Sequence, residues 1–226
     1  MTTTLDYRTR KAALAGQPCR LDGCSSLRFG FAVHCRKHRR IAESYGHPQA
    51  GPLRRSSMAT FRTGIAALFA KNGTHAGLIE ADRWVTSLMA QATADSYAFK
   101  GANELQRLAT HGVTPRAVLV EFLACSAYID WAPSVLPEDD RCRDFALARA
   151  VFLMAPQVVK TSWTGNRRRP YRGKASVGSL AFIGRHLRVS LAEFTATVLA
   201  GLAAQTRAKA MTAEDRKAAR TAPMAV

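Results

Sequence analysis

Four potential metal ligands near the amino terminus constrain the fold of this chain more than any other feature. They follow the spacing Cys19-x4-Cys24-x10-Cys35-x2-His38. Three thiolates and one imidazole can complete a tetrahedral zinc shell, and the two-residue gap before His38 fits the first turn of a helix. Four protein ligands leave no position for a catalytic water, so we expect a structural Zn²⁺ ion. The surrounding segment has few apolar residues, and a metal would supply the stabilisation that it lacks.

The chain contains further cysteines and histidines besides these four residues. Cys125 and Cys142 lie on apolar or amphipathic stretches, where we expect ordinary reduced thiols rather than a disulfide. For the clustered residues, ligand-like spacing in a short polar segment favours zinc. His34 and His47 are alternative ligands. His34 directly precedes Cys35 and should point elsewhere, whereas His47 lies beyond the predicted helix.

Residues 19–48, CRLDGCSSLRFGFAVHCRKHRRIAESYGHP, resemble the small treble-clef zinc fingers of phage, plasmid and other mobile-element proteins. Those fingers contain a Cys knuckle, a short hairpin and a C-x2-H pair that opens a helix. Their helix ends in a Gly-[Asp/His]-Pro turn, which Gly46-His47-Pro48 matches. Val33 occupies a position where the family often has glycine. The resemblance covers 30 residues and implies nucleic-acid binding without distinguishing DNA from RNA.

The strongly basic composition also indicates a polyanionic partner. Lys and Arg number 33 against 16 Asp and Glu, a formal net charge of +17, which favours nucleic acid over a membrane surface. The net charge is +8 over residues 1–57, −1 over 58–159 and +10 over 160–226. We therefore expect a near-neutral helical core between two basic contact regions.

The first basic region surrounds the predicted metal site. Its candidate phosphate contacts are Arg36, Lys37, Arg39 and Arg40 on the predicted helix and Arg54 and Arg55 in the following segment. A solvated helix face is the alternative interpretation.

The second basic region is KTSWTGNRRRPYRGK, residues 160–174. Arginines contact phosphates or guanine edges, and aromatic rings can stack on bases. Gly165 and Asn166 permit a hairpin-like loop. The alternative is a surface loop whose aromatic residues return to the core. The candidate nucleic-acid contacts here are Trp163, Arg167, Arg168, Arg169, Tyr171, Arg172 and Lys174.

The remaining pattern predicts a mostly α fold: a small treble-clef-like zinc module followed by a multi-helix domain with a basic loop or hairpin. Apolar residues recur at helical spacing from Met58 to Lys71 and from Leu78 to about Leu108. Thr114-Pro115 and the acidic run at 138–140 are typical helix starts. We divide the chain into a flexible basic leader (1–18), zinc module (19–48), linker (49–57), helical core (58–159), basic aromatic loop (160–176), C-terminal helices (177–210) and tail (211–226).

No catalytic motif stands out. The chain lacks G-x-S-x-G and G-x-G-x-x-G patterns. An HNH-type nuclease would need a second His/Asn pair after His34, and none follows at a suitable distance, although this class is not fully eliminated. No stretch reaches the roughly 18 apolar residues that span a bilayer, and the polar N-terminus predicts a cytoplasmic protein with no membrane partner.

These observations favour a non-catalytic, zinc-binding, sequence-specific regulator of transcription in a phage or mobile element, with double-stranded DNA as its partner. Three alternatives stay open: a replication or recombination accessory, a factor that docks on RNA polymerase through the neutral core, and an RNA-binding protein. The alanine-rich C-terminal helices could pair with a second copy of the chain or complete the core.

Overall fold

The computed structural model describes the backbone of residues 4–95, 98–156, 159–164, 167–172 and 175–221. Side chains are described for residues 7, 9–14, 16–95, 98–156 and 175–206. This part of the chain is mostly helical, as predicted. Its helices are α1 (Thr4–Ala15), α2 (Arg36–Tyr45), α3 (Ala59–Lys71), α4 (Ala76–Ala94), α5 (Ala102–Thr110), α6 (Pro115–Trp131), α7 (Asp140–Phe152), α8 (Val177–Ser190) and α9 (Ala192–Thr221). Two short 3₁₀ turns cover Arg55–Met58 and Pro133–Val135.

Helix α6 forms the centre of the helical body. It begins at Pro115 because the Thr114 hydroxyl accepts a hydrogen bond from the Ala117 N–H at 3.2 Å, and proline is favourable in the first turn. Ten of its residues are buried, and it packs against α3, α4 and α7. A helix that is apolar on nearly all sides has to lie inside the body.

Helices α7 and α8 pack closely against each other. Asp139 caps α7 by accepting hydrogen bonds from the N–H groups of Arg141 and Cys142, which agrees with the predicted acidic helix start. Gly184 on α8 lies directly against the carbonyl of Asp144 on α7. Only a residue without a Cβ fits this contact.

The basic segment, predicted as a loop or hairpin, contains a pair of antiparallel strands. Strand β1 (Val159–Thr164) pairs with β2 (Arg167–Arg172) in an antiparallel register that sets Trp163 opposite Arg168. The side chains of both strands lie outside the described residues.

The structure corrects the predicted helix from Leu78 to Leu108. This stretch forms two helices, because α4 ends at Ala94 and α5 begins only at Ala102. Gly101 at the start of α5 has a φ of 98° and packs against Ile183, a tertiary contact that the apolar periodicity did not reveal.

Two other segments differ from their expected character. The N-terminal stretch predicted as a loose leader contains helix α1. The predicted linker packs on the helical body: Ala50 is buried, and Arg55 forms an ion pair with Glu121. A short segment can thus hold the metal module in place rather than merely tether it.

Among the described helices, none is by itself long and apolar enough to cross a bilayer. Residues Val177–Ser190 and Ala192–Thr206 meet the criteria of length and composition only when joined, and the two helices meet at a bend of 73°.

Candidate metal centre

The four predicted ligands converge at one point. The Sγ atoms of Cys19, Cys24 and Cys35 and a ring nitrogen of His38 all lie within 4.8 Å of one another. His38 Nδ1 is 3.4 Å from Cys35 Sγ and 3.6 Å from Cys19 Sγ, and the Sγ atoms of Cys24 and Cys35 are 4.0 Å apart. Ligands around a tetrahedral zinc would be separated by about 3.8 Å (S to S) and about 3.6 Å (S to N), given usual zinc bond lengths. The cluster could therefore hold a metal ion of this size.

A compact turn presents the first two ligands. Cys19 N–H donates to the Ser26 carbonyl at 2.9 Å, and Cys24 N–H donates to the Leu21 carbonyl at 3.1 Å. Gly23, with a φ of 76°, permits the turn between them. A single β-bridge joins Pro18 to Leu27, where the sequence predicted a small hairpin.

Helix α2 presents the other two ligands. Cys35 is its N-cap residue, with φ −64° and ψ 167°, and His38 lies in its first turn. The Arg39 N–H donates to the Cys35 carbonyl at 2.9 Å, the first bond of the helix. The two-residue spacing therefore places both side chains at the same end of α2.

The surroundings of Cys19 favour its thiolate. Burial alone would raise the pKa of this thiol, but hydrogen bonds from the backbone of Cys35 and Leu21 and from the side chains of His38 and His34 lower the pKa to about 5. The Cys35 N–H lies 3.4 Å from the sulfur. Because metals bind cysteine as thiolate, the site favours the protonation state that a ligand needs.

The two alternative histidines occupy different positions. His34 Nδ1 lies 3.9 Å from Cys19 Sγ, next to the cluster but outside the four-ligand set. His47 Nδ1 accepts a hydrogen bond from the Gln49 N–H at 3.2 Å and so supports the turn after α2. The preference for His38 agrees with this geometry, but the expectation that His34 points elsewhere is wrong, because its ring approaches the Cys19 sulfur.

Gly46 joins the metal module to the helical body. This residue caps α2 with a φ of 86°, and a Cβ placed here would come within 2.8 Å of the Phe145 ring on α7. The neighbouring Tyr45 carbonyl lies 3.8 Å from the Cys142 sulfur. Glycine is thus required both for the backbone conformation and for the close approach to α7.

Four basic side chains of α2 face solvent. Arg36, Lys37, Arg39 and Arg40 are all exposed. The guanidinium carbons of Arg36 and Arg39 lie 5.6 Å and 5.8 Å from the Phe29 ring centroid, and Arg39 also pairs with Glu43 at 2.7 Å. For Lys37 and Arg40, the described residues provide no side-chain hydrogen bond or ion pair. Their full charge is available to an external anion.

The aromatic residues of the module were not predicted as functional from the sequence. Phe29 and Phe31 are 47% and 44% exposed, and Tyr7 of α1 lies 4.9 Å from the Phe31 ring. The RFGF pattern, two aromatic residues beside an arginine in a polar segment, was the available signal.

The other predicted contacts are distributed unevenly. Arg54 is exposed, whereas Arg55 donates two hydrogen bonds of 3.3 Å to Glu121, which Arg62 also clamps. Arg55 therefore contributes to the fold. The hairpin candidates belong to a region whose side chains are not described: Trp163, Arg167, Arg168, Arg169, Tyr171, Arg172 and Lys174.

No protein-family model, curated protein or solved structure matches this chain. The metal-binding interpretation therefore depends on the ligand set and its geometry.

Proposed function

We propose that this protein binds DNA through a zinc-stabilised module and regulates transcription by recognising a duplex sequence. The observation that carries the proposal is the composition of helix α2. Its N-cap residue Cys35 and its first-turn residue His38 are candidate metal ligands, and the same helix carries four exposed basic side chains.

The phosphate backbone of DNA is the first target of a basic protein surface. Lys and Arg side chains displace condensed counterions when they contact phosphates, and this gain supplies much of the affinity for DNA. Zinc would fix the start of α2, so that its cations are held in one arrangement instead of fluctuating. Base recognition then requires side chains that reach the groove, and Arg36 and Arg40 are of the type that contacts guanine.

The hairpin would provide a second contact. Its strands carry Arg167, Arg168 and Arg169 within a region of net charge +10. A two-stranded ribbon has dimensions that fit the major groove. Helix α2 and the hairpin together could contact a longer stretch of duplex than either element could contact alone.

The experiment is selection of bound nucleic acid by the zinc-loaded protein. Random duplex DNA, single strands and structured RNA are offered across a salt series, and the recovered molecules are sequenced. Enrichment of one duplex motif is the expected result. Uniform, salt-sensitive recovery of all duplexes would contradict sequence recognition and favour an accessory role, and preferential recovery of RNA would contradict DNA as the partner.

A hairpin variant tests the second contact. The triple substitution R167A/R168A/R169A should weaken duplex binding. It should also reduce the slope of log affinity against log salt by roughly one for each phosphate that the hairpin no longer neutralises. An unchanged slope would remove the hairpin from the interface.

A further inference from the structure

Arg149 on α7 is a partly buried cation for which the described residues supply no acceptor. Its guanidinium lies over the Tyr45 ring at 5.7 Å, and burial lowers its pKa. Within the described residues, no carboxylate or carbonyl oxygen accepts a hydrogen bond from it. Charged groups that are withdrawn from water are normally paired, so an unpaired, partly buried arginine is a candidate to bind an anion.

Arg107 on α5 presents a second unused donor. Its side chain is 10% exposed and bonds through one terminal nitrogen to Glu104 and to the Phe152 carbonyl, each at 3.0 Å. The Nε–H of Arg107 is buried and has no hydrogen-bond partner in the described part of the chain. A buried donor of this kind is costly unless something binds it.

Both arginines line one cavity of about 70 Å³ between α2, α5, α7 and α8. This volume is several times the minimum of about 10–15 Å³ that one water needs, so the cavity has room for a small anion. Glu43 and Glu104 also line the cavity, but Glu43 pairs with Arg39 and Glu104 with Arg107. Among the residues that the structure describes, neither glutamate accepts a hydrogen bond from Arg149.

The cavity lies between the metal-site helix α2 and the residues that flank the hairpin segment. Glu43 belongs to the metal-site helix α2, whereas Leu153 and Ala175 stand at either end of the segment that contains the hairpin. A nucleic-acid strand that contacted both regions would pass close to this position. Phosphate is the anion that such a strand presents.

We propose that this cavity binds one phosphate group through the Arg149 guanidinium and the Arg107 Nε–H, and that in the working complex a nucleic-acid backbone supplies the phosphate. The nucleic-acid source of the phosphate rests on the proposed nucleic-acid-binding function, whereas phosphate binding in the cavity does not. Arginine suits this role because its planar fork can donate two parallel hydrogen bonds to a phosphate.

The first arm of the test uses inorganic phosphate and the full-length protein. Phosphate is titrated at constant ionic strength against chloride, and heat and arginine side-chain NMR shifts are recorded. The native protein should bind phosphate, and R149Q should bind it at least tenfold more weakly. Arg141 is an exposed arginine on the same helix, so the control variant R141Q should bind phosphate as the native protein does. No binding by the native protein, or equal weakening in R149Q and R141Q, would overturn the site.

A conservative variant serves as the control for misfolding of R149Q. R149K keeps the charge but loses the fork, so it should fold as the native protein does and bind phosphate with intermediate affinity. Native-like phosphate binding by a folded R149Q would contradict the assignment of Arg149.

The second arm distinguishes the source of the phosphate. R149Q should weaken duplex binding and lower its salt slope by about one, whereas R141Q should leave both unchanged. If R149Q abolished phosphate binding but left duplex affinity unchanged, the cavity would be supported and the nucleic-acid source overturned. If the native protein bound phosphate but no nucleic acid, the proposed function would fail while the cavity assignment stood.

Discussion

Among the side chains that the structure describes, two acidic ones are almost completely buried, and both are held by arginines. Glu121 on α6 is 1% exposed and accepts hydrogen bonds from Arg55 and Arg62. Asp144 on α7 is 4% exposed and accepts from Arg188 at 2.7 Å. A buried carboxylate is tolerated only when its charge is compensated, so these residues and their partners are interdependent.

Substitution of Glu121 should therefore be costly. E121A removes the buried acceptor of Arg55 and Arg62. Because both arginines are partly exposed and can be solvated, we expect a loss of about 1.5–3 kcal/mol in the free energy of unfolding. Urea denaturation measures this loss. The matched variant E80A removes a glutamate that is 68% exposed and paired with Arg83, and it should change stability by less than about 1 kcal/mol. Equal effects would mean that the Glu121 clamp is not structural.

Gly184 on α8 and Gly201 on α9 should respond in opposite ways to substitution by alanine. G184A would drive a Cβ into the Asp144 carbonyl, and we expect overpacking to cost about 1–3 kcal/mol or more. Gly201 lies in a helix, and an added Cβ would have nothing within 4 Å of it. G201A should therefore stabilise the protein by about 0.5–1 kcal/mol. Thermal unfolding of both variants checks the sign, and a neutral G184A would contradict the close packing of α7 and α8.

At the scale of elements, the metal module lacks a hydrophobic core of its own. Between residues 16 and 48, only Cys19, Cys35 and Pro48 are buried, and two of these are candidate metal ligands. Helix α2 contains no buried residue. The helical body, in contrast, has a continuous core from α3 to α9. The module should therefore depend on its metal, and the body should not.

Cys35→Ser tests this difference between the elements. The variant should lose bound zinc, measured by elemental analysis, and should lose only the part of the far-UV circular dichroism that α2 contributes. C125A alters a buried cysteine outside the cluster and should keep the zinc. A complete loss of helicity in C35S would mean that the metal organises the whole fold.

The cysteines of the body should be chemically inert in the folded protein. Burial raises the pKa of Cys125 to about 12 and that of Cys142 to about 11. At pH 9 an ordinary thiol of pKa 9.0 is half ionised, whereas Cys125 would be ionised to about one part in a thousand.

Thiol titration with a disulfide reagent measures this effect. After chelation under native conditions, three thiols should react quickly and two slowly. Because the unfolded thiols ionise near pH 9.0 and the folded ones do not, these two groups should also reduce stability as the pH rises above 9. Five equally fast thiols in a folded protein would contradict the burial.

At the scale of the whole molecule, local signals were readable in the sequence and tertiary ones were not. The ligand spacing identified Cys19, Cys24, Cys35 and His38, and Thr114-Pro115 located the start of α6, because both depend on neighbouring residues. The break before Gly101 depends on packing against Ile183, which is distant in the sequence. Arg149 likewise looks like any helical arginine until the fold places it beside Tyr45.

The central claim is that cations on the metal-site helix bind nucleic acid. The most direct test compares K37A/R40A with K71A/R185A, which removes the same charge from exposed positions on the body. Duplex affinity is measured from low to moderate salt for both zinc-loaded variants. We expect K37A/R40A to lower the salt slope by about two relative to native, and K71A/R185A to leave it nearly unchanged. Equal slopes for the two variants would contradict the claim, because the charge would then act without regard to its position.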